Sequence, residues 1–167
     1  MDTPSPSNHA DRVSIRRAVP DDLPALYRQQ LDADAVAMAV VYSKDEPSFA
    51  AHWDKIFNNP AVTAMVIELP IEGQQTVVGH VTSFPIEDEY FVGYWVDKAC
   101  WGQGIASRAL ELLIEMVDER PLYARAASSN VGSIRVLEKC GFTLIRHEMG
   151  EDDGKYPVCE VAFMVLR

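Results

Sequence analysis

The 167-residue chain has only three cysteines, and Cys100, Cys140 and Cys159 sit at wide spacing with no paired motif. An odd, scattered set excludes a disulfide framework and fits a reducing, cytoplasmic compartment. Positive charge is also scarce: 15 lysines and arginines against 25 acids leave a net charge of −10. A nucleic-acid binder needs a basic stripe, so nucleic acid is not expected as a partner, whereas a cationic partner is compatible. No long hydrophobic run occurs. The longest, AVAMAVVY at 35–42, is far short of a bilayer span, so no membrane partner is expected. Nor do His52, His80 and His147 find companions at ligand spacing, so no metal is expected. The opening MDTPSPSNHADR lacks the basic and apolar segments of a signal peptide and is expected to be a disordered tail over 1–12.

What is present is enough apolar material for one core: 48% of residues are hydrophobic, which at this length fits a single domain over 13–167. A strand is predicted over 13–19, a helix over 20–32 and a second helix over 46–60. In the second, Phe49, Trp53, Ile56 and Phe57 share one face. Residues 33–45 fit neither period. Alternating runs at 61–69, 76–84 and 90–96, joined by short connections, predict an antiparallel meander. Ile105, Ala109, Leu112, Leu113, Met116 and Val117 then form a helical stripe across 104–119. A strand over 122–127, a helix over 131–140 with Gly141 as its cap, and strands over 142–148 and 158–166 complete the chain. A strand, helix, strand succession at 90–127 favours a parallel crossover inside an otherwise antiparallel sheet. The class is mixed α/β with about four helices.

The informative stretch is KACWGQGIASRAL at 98–110, where Gly102 and Gly104 open the long helix just beyond a strand. Helix N-termini offer unpaired N–H groups and a partial positive charge, and glycine lets phosphate oxygens approach the backbone. A tight turn shaped by glycine alone remains the other reading. A P-loop is excluded because no Gly-Lys-Ser/Thr ending follows. A dinucleotide fingerprint fits poorly, because Ser107 stands where a third glycine belongs.

GYWVDKACWGQGIASRALELL at 93–113, followed by NVGSIRVLEKCGF at 130–142, resembles the GCN5-related N-acetyltransferases (GNAT), and within them the ribosomal-protein N-terminal acetyltransferase branch. Trp101, where the family motif usually has Arg or Gln, is common in that branch. The resemblance implies a GNAT-type fold with a central splayed parallel pair, acetyl-CoA as cosubstrate, and a primary amine as acceptor. It implies that Trp95 and Val96 pair with the pantetheine arm. Trp101, Gly102, Gln103, Gly104, Ile105, Ala106 and Ser107 form the pyrophosphate turn, and Asn130 and Ser133 lie near the pantetheine and sulfur. Asn130 also reads as a plain helix N-cap. Arg135 and Lys139, one turn apart, are candidates for a coenzyme phosphate or for a solvated face.

Acetyl transfer needs a neutral amine, a stabilised oxyanion and a tolerated leaving thiolate. A backbone N–H near Val96 suits the oxyanion. The tyrosine that many relatives place on the last helix is Leu137 here, and the glutamate of several relatives is replaced by Phe91. In the resembled branch the Asn-x-x-Ser serine acts as the acid, which makes Ser133 the candidate, with simple capping as the alternative. Glu89 and Glu160 are the candidate bases, acting through a water. The alternative to an enzyme is a non-catalytic CoA-binding sensor or partner domain of the same fold. Monomer and homodimer both remain open.

Overall fold

The computed structural model describes residues 9–167, so residues 1–8 of the expected tail lie outside the described residues. The last four tail residues, His9–Arg12, form a 3-10 turn. Seven strands follow: β1 (Ser14–Arg17), β2 (Thr63–Ile71), β3 (Gln74–Ile86), β4 (Glu89–Val96), β5 (Leu122–Ala127), β6 (Thr143–Met149) and β7 (Glu160–Leu166). They make one sheet in the order β1-β2-β3-β4-β5-β7-β6. All neighbours are antiparallel except β4 and β5. That single parallel pair is what a helical crossover between adjacent strands produces.

Five α-helices accompany the sheet: α1 (Leu23–Gln29), α2 (Ala33–Ala39), α3 (Glu46–Phe57), α4 (Ile105–Met116) and α5 (Val131–Lys139). The count among the described residues agrees with the expected about four, and α2 lies inside the segment that fitted neither period. Its start is fixed by Asp32, whose side chain accepts from Ala35 N at 2.9 Å. The helix expected over 20–32 divides into a 3-10 turn, Pro20–Asp22, and α1. The long stripe also ends early. Val117 turns to extended backbone (ψ 137°) while its side chain remains buried, so 117–119 leave the helix.

Alternation along the strands divides the apolar residues between two faces. Met65, Ile67, Val81, Val92, Val96, Leu122, Ala124 and Met164 pack with Ile105, Leu110 and Leu113 of α4 and Leu137 of α5. On the other face Val66 meets Leu26 of α1 and Phe49 and Trp53 of α3. Both faces of the central sheet are therefore covered, and β4 packs through Val92 and Val96 on the face that carries α4.

Candidate functional site

The site begins where β4 and β5 part. Their pairing is confined to Tyr90 with Leu122 and Phe91 with Tyr123, so Val92 to Val96 run on with no β5 partner. Asp97 N bonds Val78 O at 2.8 Å, toward β3. By strand alternation the backbone groups of Val92, Tyr94 and Val96 then face the opening, and those of Trp95 face β3. The Trp95 carbonyl in fact packs so closely on Gly79 of β3 that a Cβ there has no room. Of the two residues expected to pair with a pantetheine arm, the backbone of Val96 is directed into the gap and that of Trp95 is not. The Trp95 indole instead lies toward α1, with Nε1 3.4 Å from Gln29 O.

Beyond Val96 the chain makes a short 3-10 turn, Lys98–Cys100, and enters α4 through Gly102 and Gly104. Both glycines have left-handed backbone, φ 75° and 76°, where a side chain is strained. Among the described residues no side chain caps α4. Its first N–H groups, on Ile105, Ala106 and Ser107, therefore have no acceptor within the helix. The side chain of Ile105 is buried and that of Ala106 packs on the core, so these two meet the site through their backbone, while Ser107 is almost fully buried and borders the cavity at the helix start. The Trp101 indole turns back, and its Nε1 donates to Val96 O at 2.9 Å. That bond pins the turn to the end of β4. Gln103 Nε2 donates to Ala99 O at 3.3 Å, which stiffens the same loop.

A shallow cavity of about 290 Å³ adjoins this helix start, lined by Ala10, Asp11, Gly104, Ser107, Arg108, Glu111 and Lys139, two acids with two bases. Lys139, expected as a phosphate contact or as part of a solvated face, is one of these lining residues. Arg108, not singled out from the sequence, joins it there, 3.3 Å from Glu111. Arg135 is not part of the cavity wall.

Helix α5 starts differently. Asn130 Oδ1 accepts from Ser133 N at 3.2 Å, an ordinary cap, so its N-terminus is satisfied and that of α4 is not. Ser133 in turn meets Tyr94, whose hydroxyl lies 2.6 Å from Ser133 Oγ and 3.0 Å from Ser133 O. The sequence offered no sign of this contact, because it joins positions 39 apart through packing of β4 against α5. Burial pushes the Tyr94 phenol up to about 12, so it is neutral at physiological pH.

The two candidate bases are far apart along the sheet. Glu89 begins β4, before the paired residue Tyr90, at the closed end of the opening. Glu160 begins β7 beside the open end of β5, where its carbonyl accepts from Ser128 N at 2.9 Å. Its carboxylate is 3.4 Å from His147 Nδ1, and that nitrogen is 3.1 Å from Ser128 Oγ. His147, which has no companion at ligand spacing in the sequence, has these two polar neighbours in the fold.

This arrangement, an opened parallel strand pair facing an uncapped helix start, coincides with what comparison finds. A family model described as acetyltransferase (GNAT) domain matches residues 12–143. The probable N-acetyltransferase YjcK of Bacillus subtilis is 43% identical over 56 residues, 31% of each chain, so the match spans under a third of that relative. The Vibrio cholerae spermidine N-acetyltransferase, solved with CoA and spermine, superposes with a TM-score of 0.77 over 93% of this chain and 95% of its own, at 16% identity. RimL, a ribosomal L7/L12 α-N-protein acetyltransferase solved with coenzyme A, does so at 0.74 over 93% of each chain, at 20% identity. Mycobacterium smegmatis RimJ in complex with CoA-disulfide reaches 0.72 over 92% of this chain and 81% of its own, at 23% identity. At these identities the solved structures share the fold, and the family model, which covers most of the chain, shows that the protein belongs to the GNAT acetyltransferase family.

Proposed function

We propose that the protein is an N-acetyltransferase that moves the acetyl group of acetyl-CoA directly to a primary amine, either a protein N-terminus or a small molecule, within a ternary complex. The observation that carries this reading is the uncapped start of α4 set beside the stretch Val92 to Val96, which keeps β3 on one side, has no β5 partner on the other, and has its last carbonyl held by Trp101. A pyrophosphate suits the N–H groups of residues 103–107, and an amide-bearing arm suits the unpaired strand edge, which otherwise leaves polar backbone unmatched. The acetyl thioester supplies the activated acyl group. Val96 N–H, aimed into the opening, is placed to stabilise an oxyanion without reorganisation. Ser133 assists the departing sulfur. Glu160, at the open end with His147, takes the ammonium proton through a water, and Glu89 at the closed end has no step in this scheme.

Two of the three cysteines are unsuited to carry the acyl group. Burial pushes the Cys140 thiol up to about 11 and raises Cys100 as well, which leaves both protonated and unreactive. Trp101 and the glycine turn favour the RimJ/RimL branch, and relatives that act on spermidine or a ribosomal protein agree with an amine acceptor. We place the enzyme in the cytoplasm as a monomer or homodimer, working without metal, nucleic acid or membrane.

The experiment is an acceptor panel of amino acids, peptides with free N-termini and polyamines, with thiol release from acetyl-CoA as readout. At least one acceptor is expected to turn over, with the intersecting initial-rate patterns of a ternary complex. Parallel patterns contradict direct transfer. Coenzyme binding with no turnover supports a second reading, the non-catalytic CoA-binding domain. That reading is favoured by Phe91 and Leu137, both buried and apolar where relatives carry a base and an acid.

A further inference from the structure

We infer that Tyr94 is a positioning residue that holds the Ser133 hydroxyl toward the coenzyme sulfur, so that a tyrosine from β4 supports the leaving thiolate in place of one on α5. The inference rests on the acetyltransferase reading above. Its geometric basis is independent of that reading: a half-buried phenol reaches from the unpaired stretch of β4 to α5 and ends 2.6 Å from Ser133 Oγ. An arm anchored at the start of α4 and laid along β4 from Val96 passes the Tyr94 row before the strands close at Phe91. The thioester end of such an arm therefore lies beside this hydroxyl pair. The last helix has no tyrosine to offer there, since Leu137 is buried in the core.

The hydrogen bonds allow two states. The Tyr94 hydroxyl has one hydrogen, and with that hydrogen on Ser133 O at 3.0 Å, Ser133 Oγ–H donates to Tyr94. When the Tyr94 hydrogen moves to Ser133 Oγ, the serine hydrogen is released toward the opening. In the transfer itself the amine lone pair forms the C–N bond and the C–S pair departs with sulfur. The proton shed by nitrogen passes to water, and the thiolate takes one from water. Neither hydroxyl is consumed. Ser133 donates a hydrogen bond to the anionic sulfur, and Tyr94 fixes Ser133 from behind. A hydrogen bond to the charged form lowers the pKa of a thiol, so the pair has a signature that packing alone lacks.

The test is ultraviolet titration of the thiolate of CoA bound to the protein, as a difference against the coenzyme-free protein, with isothermal titration of CoA alongside. Bound CoA is expected to titrate about one pH unit below free CoA. Tyr94→Phe and Ser133→Ala should each restore the free midpoint, the double variant no further, and Ser133→Thr should keep the wild-type midpoint. CoA affinity should change less than about threefold in Tyr94→Phe, because backbone contacts hold the coenzyme. A Tyr94→Phe protein whose bound thiol keeps the wild-type midpoint overturns the inference, as does a wild-type midpoint equal to that of free CoA. Tyr94→Leu makes the same decision if Tyr94→Phe fails to fold. Failure of wild-type protein to bind CoA at all overturns the acetyltransferase reading, and the role of Tyr94 with it.

Discussion

His80 and His52 show how much a single side chain takes from its surroundings. His80 lies on β3 against the edge of Trp53, ring centroids 5.3 Å apart, with Nδ1 buried and without a hydrogen-bond partner. Burial drives its pKa down to about 4, and burial together with nearby Lys155 and Lys44 does the same for His52. Both are neutral in the folded protein at pH 7, whereas an unfolded histidine takes up its proton near pH 6.5. The unfolded chain thus binds more protons between the two values. Their contribution to stability is full above pH 6.5 and erodes as pH falls toward 4. Calorimetry should show the melting temperature dropping across that window, with a smaller drop in a His52→Gln, His80→Gln double variant. A flat wild-type profile from pH 7 to 4.5 contradicts it. The environment of these histidines, like the Tyr94–Ser133 contact, arises only when distant elements pack and so has no local sign in the sequence.

Elements whose period and caps agree were legible in sequence. The meander, the stripe of α4 and the Asn130 cap of α5 lie where local pattern puts them. Helix α2 was not legible, because its seven residues, ADAVAMA, are small or apolar all round apart from Asp34, so no stripe sets the period. Also hidden was the clamp between β1 and the turn that leads into α1. Arg16 holds Asp22 with two bonds of 2.9 and 2.8 Å, and Val19 N donates to the same carboxylate at 2.9 Å. Burial alone raises the Asp22 pKa, but the guanidinium and the backbone N–H outweigh it and hold the carboxyl below the usual range. This contribution is present above about pH 4 and is lost as pH falls through the lowered value. At pH 7 Asp22→Asn should cost about 2 kcal/mol in urea unfolding, narrowing below pH 4. A cost under about 0.5 kcal/mol means that the clamp contributes no more than an ordinary surface position.

At the scale of the molecule, the coenzyme half of the site was readable and the acceptor half was not. On the proposed reading a pyrophosphate is met by backbone in one contiguous stretch, 98–110, and such a stretch leaves a pattern in the sequence. On the other side of the sheet, segments far apart in the chain meet: Tyr42 donates its backbone N–H to Lys155 O at 3.0 Å and its hydroxyl to Asp152 at 2.5 Å. Contacts made between such distant pieces leave no local signature. The central claim is that the uncapped N–H groups of α4 bind the coenzyme, and Ala106→Pro tests it most directly. Ala106 is the second residue of α4, and a helix tolerates proline in its first turn, so the change deletes one donor and spares the helix. Isothermal titration with acetyl-CoA should show wild-type binding and an affinity at least about tenfold weaker in Ala106→Pro, with the melting temperature of the free protein nearly unchanged. Equal affinity in the folded variant, or no binding by the wild type, contradicts the account.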